Sequence, residues 1–250
     1  MRALRIVLCL VVCLAALPAF AQSSPGTSHD WEFSIAPYLW GAGIDGDVKI
    51  GRLPSSGVEA SFSELWDVLD IGGMLAFEGR KGTWGFFVDG IYLKFEEDVP
   101  APDPNFGTVN AELTQQWYTA AATCRVIEHG KVALDVIGGT RFTNMDMDLS
   151  LSGGVASGRS RSRGEDWWDA IGGARVRYTP AEHWMITGYV DAGFGGSDLS
   201  WQLAGGAAYV FNKTIAVGAG YRILDQDYDK ADFQYDVAIA GPFVGVRFGF

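Results

Sequence analysis

The segment that most constrains the fold is residues 238–250, because its side chains divide into two chemically different faces. In a β-strand successive side chains point to opposite sides. One face then carries Val244, Val246, Phe248 and Phe250. The other carries Phe243, Gly245, Arg247 and Gly249. One side is purely apolar and the other holds a charge, so the segment fits a strand between an apolar and a polar environment.

The same alternation recurs along most of the chain. In four segments apolar side chains alternate with polar ones: residues 132–144, 167–179, 199–211 and 214–224. Tryptophan or tyrosine often stands near an edge of the apolar face, as Trp168 and Tyr178 do. Aromatic girdles that flank an apolar band are typical of β-barrels in membranes. The pattern therefore predicts an all-β, closed antiparallel transmembrane barrel with its apolar face outward.

The connections between these segments alternate in length. Tight turns are predicted at residues 81–82, 128–131, 180–182 and 212–213, and longer loops at residues 96–108, 145–165, 195–198 and 225–232. This alternation predicts about ten strands, with eight or twelve as alternatives. Bacterial barrels place short turns in the periplasm and long loops outside. Both ends of the chain are then expected in the periplasm.

Two segments do not follow the simple alternation. Residues 44–70 are expected to form a long loop with a short helix capped by Ser63, and a two-strand addition is the alternative. In the last strand, Tyr235, Val237 and Ile239 are assigned to the outward apolar face together with Val244 and Val246. The first three residues have odd numbers and the last two have even numbers, so a regular strand cannot place all five on one face. A bulge is therefore predicted at residues 241–242.

The first residues have the form of a secretory signal. Arg2 and Arg5 precede a short apolar run, and residues 19–21 read Ala-Phe-Ala, so cleavage is expected after Ala21. The predicted organisation is a signal peptide at 1–21, a linker at 22–30 and a barrel domain at 31–250. Cys124 is then the one cysteine left, which excludes an intramolecular disulfide. The formal net charge of −11 argues against nucleic acid as a partner.

Four stretches together resemble small Gram-negative outer-membrane β-barrel proteins of the OmpA-like and porin types. They are the run from Trp31 to Trp40, the turn from Phe77 to Trp84, the run from Gly220 to Tyr228, and the closing run from Gly241 to Phe250. The resemblance covers nearly the whole predicted mature chain. It implies the fold and an outer-membrane location, but it supplies no catalytic residue, ligand or cofactor.

The closing residues also resemble the C-terminal assembly signal of such barrels. Gly245, Phe248 and Phe250 match that signal, whereas Phe243 stands where a polar residue is usual. The resemblance implies recognition by the barrel assembly machinery and by periplasmic chaperones. Outer-membrane lipid and lipopolysaccharide are the other expected partners. The oligomeric state does not follow from the sequence.

Charged residues on the inward face are the main candidates for function. Their list is Glu78, Asp89, Asp135, Asp169 and Asp191 with Arg125, Arg141, Arg175, Arg177, Arg222 and Arg247. In a narrow barrel these charges should pair, because unpaired buried charge is costly. We expect a salt-bridged, largely plugged lumen and a structural or interaction role. A narrow passive channel for small solutes is the alternative.

The sequence gives weaker support to the other candidate sites. Barrel proteases and lipid-modifying barrels rely on a histidine near the outer end, whereas His29, His129 and His183 all fall on the predicted periplasmic side. No enzyme activity and no cofactor are therefore expected. The triplet Asp225, Asp227 and Asp229 could hold Ca²⁺, although a solvated acidic loop is the favoured interpretation. Arg159, Arg161 and Arg163 could meet lipopolysaccharide phosphates, or they could equally lie in a mobile solvated loop.

Overall fold

The computed structural model describes residues 30–50, 56–100, 107–153, 158–230 and 233–250. The predicted signal peptide and all of the predicted linker except Asp30 lie outside these residues. The elements are β1 (Glu32–Trp40), β2 (Gly43–Ile50), β3 (Ser56–Ala60), α1 (Phe62–Asp67), β4 (Leu69–Lys81), β5 (Trp84–Pro100), β6 (Thr108–His129), β7 (Val132–Ser152), β8 (Ser160–Ala181), β9 (Trp184–Gly195), β10 (Leu199–Val210), β11 (Ile215–Lys230) and β12 (Phe233–Gly249).

Ten of these strands form a closed antiparallel barrel, as the sequence predicts. The order is β1, then β4 to β12 in sequence, and β12 pairs back to β1. Closure joins Ile35 to Phe248 and Tyr38 to Gly245. The strands β2 and β3 are additional, because β2 continues the line of β1 along β12 and β3 pairs with β2. The tight connections share one end of the barrel with residues 30–33 and 249–250, and we call it the turn end; the opposite one is the far end.

The two faces of the wall have the predicted polarity. Apolar side chains point outward and are exposed, among them Leu75, Val88, Val136, Val176, Leu203, Val217 and Val244. Polar and charged side chains alternate with them and point into the lumen. Period-two alternation thus fixes which residues lie inside.

Several strands continue well beyond the predicted boundaries. In their described parts, the loops expected at residues 96–108, 145–165 and 225–232 are mostly strand, and β6 and β8 each contain 22 residues. About 9–11 residues suffice to cross a membrane. The extra length forms a wall beyond the apolar band. There the outside of the wall is polar and the lumen is apolar, so the alternation is the reverse of that in a lipid-facing strand.

The bulge predicted at residues 241–242 is absent. The register of β12 is continuous against β11 and against the line of β1 and β2. Tyr235, Val237 and Ile239 accordingly face the lumen and are buried, on the same side as Arg247. The assignment of these three side chains to the outward face was wrong, because the far half of the lumen is filled by apolar and aromatic groups.

Residues 44–70 combine both interpretations considered from the sequence. They form the β2–β3 hairpin and then the short helix α1, whose N-cap is Ser61 rather than Ser63. Glu64 accepts hydrogen bonds from Ser61 and completes a capping box. These bonds hold the pKa of Glu64 below its usual range. No helix in the described part of the chain is long and apolar enough to cross a membrane.

Adjacent glycines on β7 provide a matched test of wall packing. A Cβ on Gly139 would lie 2.2 Å from the Ala120 carbonyl oxygen, whereas a Cβ on Gly138 would meet nothing within 4 Å. We expect Gly139→Ala to destabilise the barrel by about 1–3 kcal/mol through overpacking. Gly138→Ala should change stability by less than about 0.5 kcal/mol. Urea unfolding followed by tryptophan fluorescence measures both, and equal effects would contradict this account.

Candidate functional site

The lumen contains the charged residues predicted for it. Ten of the eleven are classed as buried, and the Arg125 side chain is also only 6% exposed. They lie at successive levels, which are described below from the turn end to the far end. Two clusters of charged groups come first, and an aromatic layer follows.

The turn-end cluster comprises Glu78, Arg80, Arg125, Asp135, Arg175 and Arg177. Asp135 accepts hydrogen bonds from Arg80 at 2.8 Å, from Arg125 at 2.9 Å and from Arg175 at 3.2 Å. Glu78 binds Arg175 through two bonds of 2.8 and 3.1 Å and Arg177 through one of 2.7 Å. Four guanidinium groups thus share two carboxylates, so each carboxylate holds several strands together across the lumen.

Arg80 was not among the predicted lumen residues, although it is only 3% exposed. Its position two residues after Glu78 places it on the same face of β4, so strand parity alone could have found it. Arg247 is also buried, yet within the described chain no carboxylate forms a salt bridge with it. Its Nε and Nη2 atoms are buried without a hydrogen-bond partner there.

The central cluster comprises Tyr38, Asp89, Arg141, Tyr189, Asp191 and Arg222. Arg141 donates to both carboxylate oxygens of Asp191, at 2.7 and 2.8 Å, and to Ser200 at 2.8 Å. Arg222 donates to Asp89 at 3.0 Å and to Gln202 at 2.7 Å. Its guanidinium lies 4.9 Å from the centre of the Trp40 ring. Two bases balance two acids here, unlike at the turn end.

The two clusters enclose a small cavity. It has a volume of about 40 Å³ and is lined by groups of both clusters, including Asp89, Arg175 and Arg222. Since one water molecule needs roughly 10–15 Å³ of cavity volume, the cavity has room for about three. It can hydrate the charges but is too small for an organic solute.

Aromatic and amide side chains fill the far half of the lumen. Trp117 donates to Gln226, which donates to Thr143, each at 2.8 Å. The Trp167 ring stacks on Tyr228 with centroids 4.3 Å apart. Asp169 lies at the border of this layer and accepts from the Ser197 backbone at 2.8 Å, not from an arginine. The sequence rule that charges pair therefore fails for this residue.

The remaining candidate residues are dispersed. Asp225, Asp227 and Asp229 alternate with buried Gln226 and Tyr228 and so point outward along β11. In the described ranges no three His, Cys, Asp or Glu side chains are grouped to hold a metal ion. The structure does not support the Ca²⁺ candidate.

One of the three arginines predicted to meet phosphate forms contacts within the protein. Arg163 forms a 3.0 Å ion pair with Glu165 and lies over the Phe233 ring, so it turns toward the lumen. Arg159 and Arg161 are exposed. Phe248 faces outward on β12, and the backbone of Phe250 exchanges two hydrogen bonds with Phe33. The predicted assembly signal thus lies where the first and last strands of the barrel pair.

Comparison with known proteins shows the fold alone. No protein-family model and no curated protein matches the sequence. Among solved structures, the outer-membrane protease OmpT from Escherichia coli is 8% identical, and the match covers 92% of this chain and 100% of OmpT with a TM-score of 0.58. The attachment invasion locus protein Ail of Yersinia pestis is 14% identical, with coverage of 88% and 97% and a TM-score of 0.34.

Proposed function

We propose that this chain, which has the fold of outer-membrane β-barrels, is a membrane-integral protein with a closed lumen and a structural or interaction role. The observation that carries the proposal is the turn-end cluster. Its side chains come from β4, β6, β7 and β8 and meet across the lumen within hydrogen-bond distance. A second closure follows in the central cluster. Two charged layers in series leave no room for a solute to pass.

The outer membrane is the proposed location. The exposed apolar band has aromatic residues near the turn end, including Trp84, Trp184, Phe211 and Phe248. Such a band meets lipid, and its aromatic edge fits the membrane interface. We place the turn end in the periplasm and the far end outside. Lipid and lipopolysaccharide would then surround the barrel, and the assembly machinery would insert it.

A narrow channel is the second candidate, and the 40 Å³ cavity is what favours it. The cavity lies between Arg175 and Arg222, so a rearrangement of either side chain would extend it along the lumen. An enzyme is not proposed. Both described histidines lie at the turn end: His129 ends β6, and His183 binds the Val210 carbonyl at 2.8 Å. Neither can serve as a general base at the far end.

Planar-bilayer recording tests the closed lumen. We expect the refolded barrel, verified by heat-modifiable gel mobility, to show no resolvable current. Arg175→Gln should remain silent as well, since the central cluster still closes the lumen. A steady conductance in the parent protein, with an ion selectivity that Arg175→Gln changes, would overturn the proposal in favour of the channel. Lys131→Gln, in an exposed turn, is the control.

A further inference from the structure

Among the described residues, strand pairing is missing at one place in the barrel wall near the far end. In the described part of the chain, β3 pairs with β2 and with no other strand. The pairing of β4 with β5 begins at Leu69 and Phe95. Beyond Phe95, one edge of β5 pairs with β6, while the other edge has only the bond from the Glu96 amide to the Val68 carbonyl, at 2.9 Å. A seam therefore separates β3 from the far part of β5.

The helix α1 lies at this seam without sealing it. None of its residues is buried, and Phe62 and Trp66 are 44% and 41% exposed. Their rings lie 5.5 Å apart on one side of the helix, since residues four apart share a face. Ser63, Glu64 and Asp67 occupy the other side. An aromatic pair left exposed on a short amphipathic helix suits the boundary between lipid and water.

The outer face beside the seam is apolar and continuous with the lipid-facing band. Ile71 and Leu75 on β4 are 54% and 45% exposed. The Phe62 ring lies about 3.6 Å from where a Cβ on Gly41 would stand, which places α1 against the junction of β1 and β2. Lys94 on β5 pairs with Glu112 at 3.0 Å and thereby marks the polar edge of the band. The seam thus opens at the outer boundary of the membrane.

The lumen behind the seam is apolar. Leu69, Phe95 and Leu113 form a row across β4, β5 and β6 and are only partly buried. Leu93 and Leu113 pack against the aromatic core of the far half. We call this partly exposed apolar row, with the inward Gly72 beside it, the recess. Its apolar side chains suit an acyl chain.

We propose that an acyl chain of an outer-leaflet lipid enters the recess at the far end sideways, through the seam beside α1. The lipid is the occupant because the apolar recess, the seam and the lipid-facing band are continuous. The buried aromatic layer behind the recess stops the chain, so the lipid is bound and not transported. This inference rests on the proposed membrane location and orientation but not on the closed lumen, since conductance and lipid binding are measured separately.

Two neighbouring glycines allow the entrance to be blocked with a matched control. A Cβ on Gly72 would point inward and lie 3.3 Å from the Leu69 Cδ2 and 3.4 Å from the Leu93 Cδ2. A Cβ on Gly73 would meet nothing within 4 Å, and strand alternation points it to the lipid. Gly72→Trp therefore fills the recess behind the seam, whereas Gly73→Trp adds the same side chain outside.

The test uses the full-length barrel in nanodiscs, with Cys124→Ser as background and a fluorophore on Leu113→Cys. A phospholipid with a nitroxide on its acyl chain is the quencher. We expect quenching at residue 113 that falls at least fivefold with Gly72→Trp and is unchanged with Gly73→Trp. A label on Ile71→Cys, which faces lipid, should be quenched equally in all three backgrounds. Heat-modifiable mobility verifies that each variant is folded.

Three outcomes would overturn the inference. One is the absence of quenching at residue 113 by the nitroxide phospholipid in the parent protein. Another is the same loss of quenching with both tryptophan variants. The third is quenching by nitroxide stearic acid added from water but not by the phospholipid, which would indicate entry from outside. Aqueous iodide gives a readout that needs no tryptophan variant. It should quench the label at residue 113 less when the bilayer lipid has chains long enough to fill the recess.

Discussion

Replacing Asp135 with alanine should destabilise the barrel by about 3–5 kcal/mol, because buried charges lose their counterion. Asp135 is fully buried and binds Arg80, Arg125 and Arg175 at 2.8–3.2 Å. Without it, the four guanidinium groups of the turn-end cluster keep one buried carboxylate, Glu78, and Arg125 keeps the exposed Glu128 at 3.5 Å. The midpoint of urea unfolding, followed by tryptophan fluorescence in lipid vesicles, measures the loss.

The matched control is Asp236→Ala on the outside of β12. Asp236 is exposed and stands directly opposite Asp227 and Asp47 on the neighbouring strands. Like charges placed opposite one another are unfavourable. This variant should therefore be neutral or slightly stabilising, within about 0.5 kcal/mol. If both variants unfold alike, the turn-end cluster does not hold the lumen together.

Strand periodicity predicted the membrane-facing part of this fold. Where lipid lies outside and charges lie inside, as around Asp135, Arg141 and Arg175, alternation assigns each side chain to its face. Tight turns then fix which strands are neighbours. The ten strands and their closure through β1 and β12 could be predicted for that reason.

The alternation rule fails in the far half of the barrel, because the polar and apolar sides of the wall are exchanged there. Beyond the membrane the outside of the wall is wet, and the lumen is packed with rings and aliphatic side chains. Hydrophobicity alone assigns Tyr235, Val237 and Ile239 to the outer face, and that assignment requires a bulge before Val244. The continuous register of β12 shows no such bulge. The strand extensions were predicted as loops for the same reason, since acidic residues such as Asp227 suggested exposed loops.

Partners across the lumen could not be predicted from the sequence. Tyr38 and Arg222 are 184 residues apart in the chain, and Glu78 and Arg175 are 97 apart. Which acid meets which base depends on strand tilt and register, and neither is visible in the alternation. The sequence therefore indicated a charged lumen but not its division into an unbalanced cluster and a balanced one.

That division predicts that the two clusters respond differently when one acid and one base are removed together. In the central cluster, Arg141→Leu or Asp191→Leu alone should destabilise the barrel by about 3–5 kcal/mol, because each leaves its buried partner without a counterion. The double variant leaves neither charge. Ser200 and Tyr189 then lose a hydrogen-bond partner, which costs about 1–3 kcal/mol. The double variant should accordingly be more stable than either single variant, as urea unfolding of the full mutant cycle measures.

Glu78→Leu with Arg175→Leu provides the comparison in the turn-end cluster. This double variant removes one acid and one base but leaves Arg80, Arg125 and Arg177 around Asp135, with the exposed Glu128 as a second partner for Arg125 alone. Rescue should be much smaller there, because three positive charges then share one buried carboxylate. If both double variants recover stability equally, charge balance does not distinguish the clusters. If neither recovers, the side chains act through shape and packing rather than through their charges.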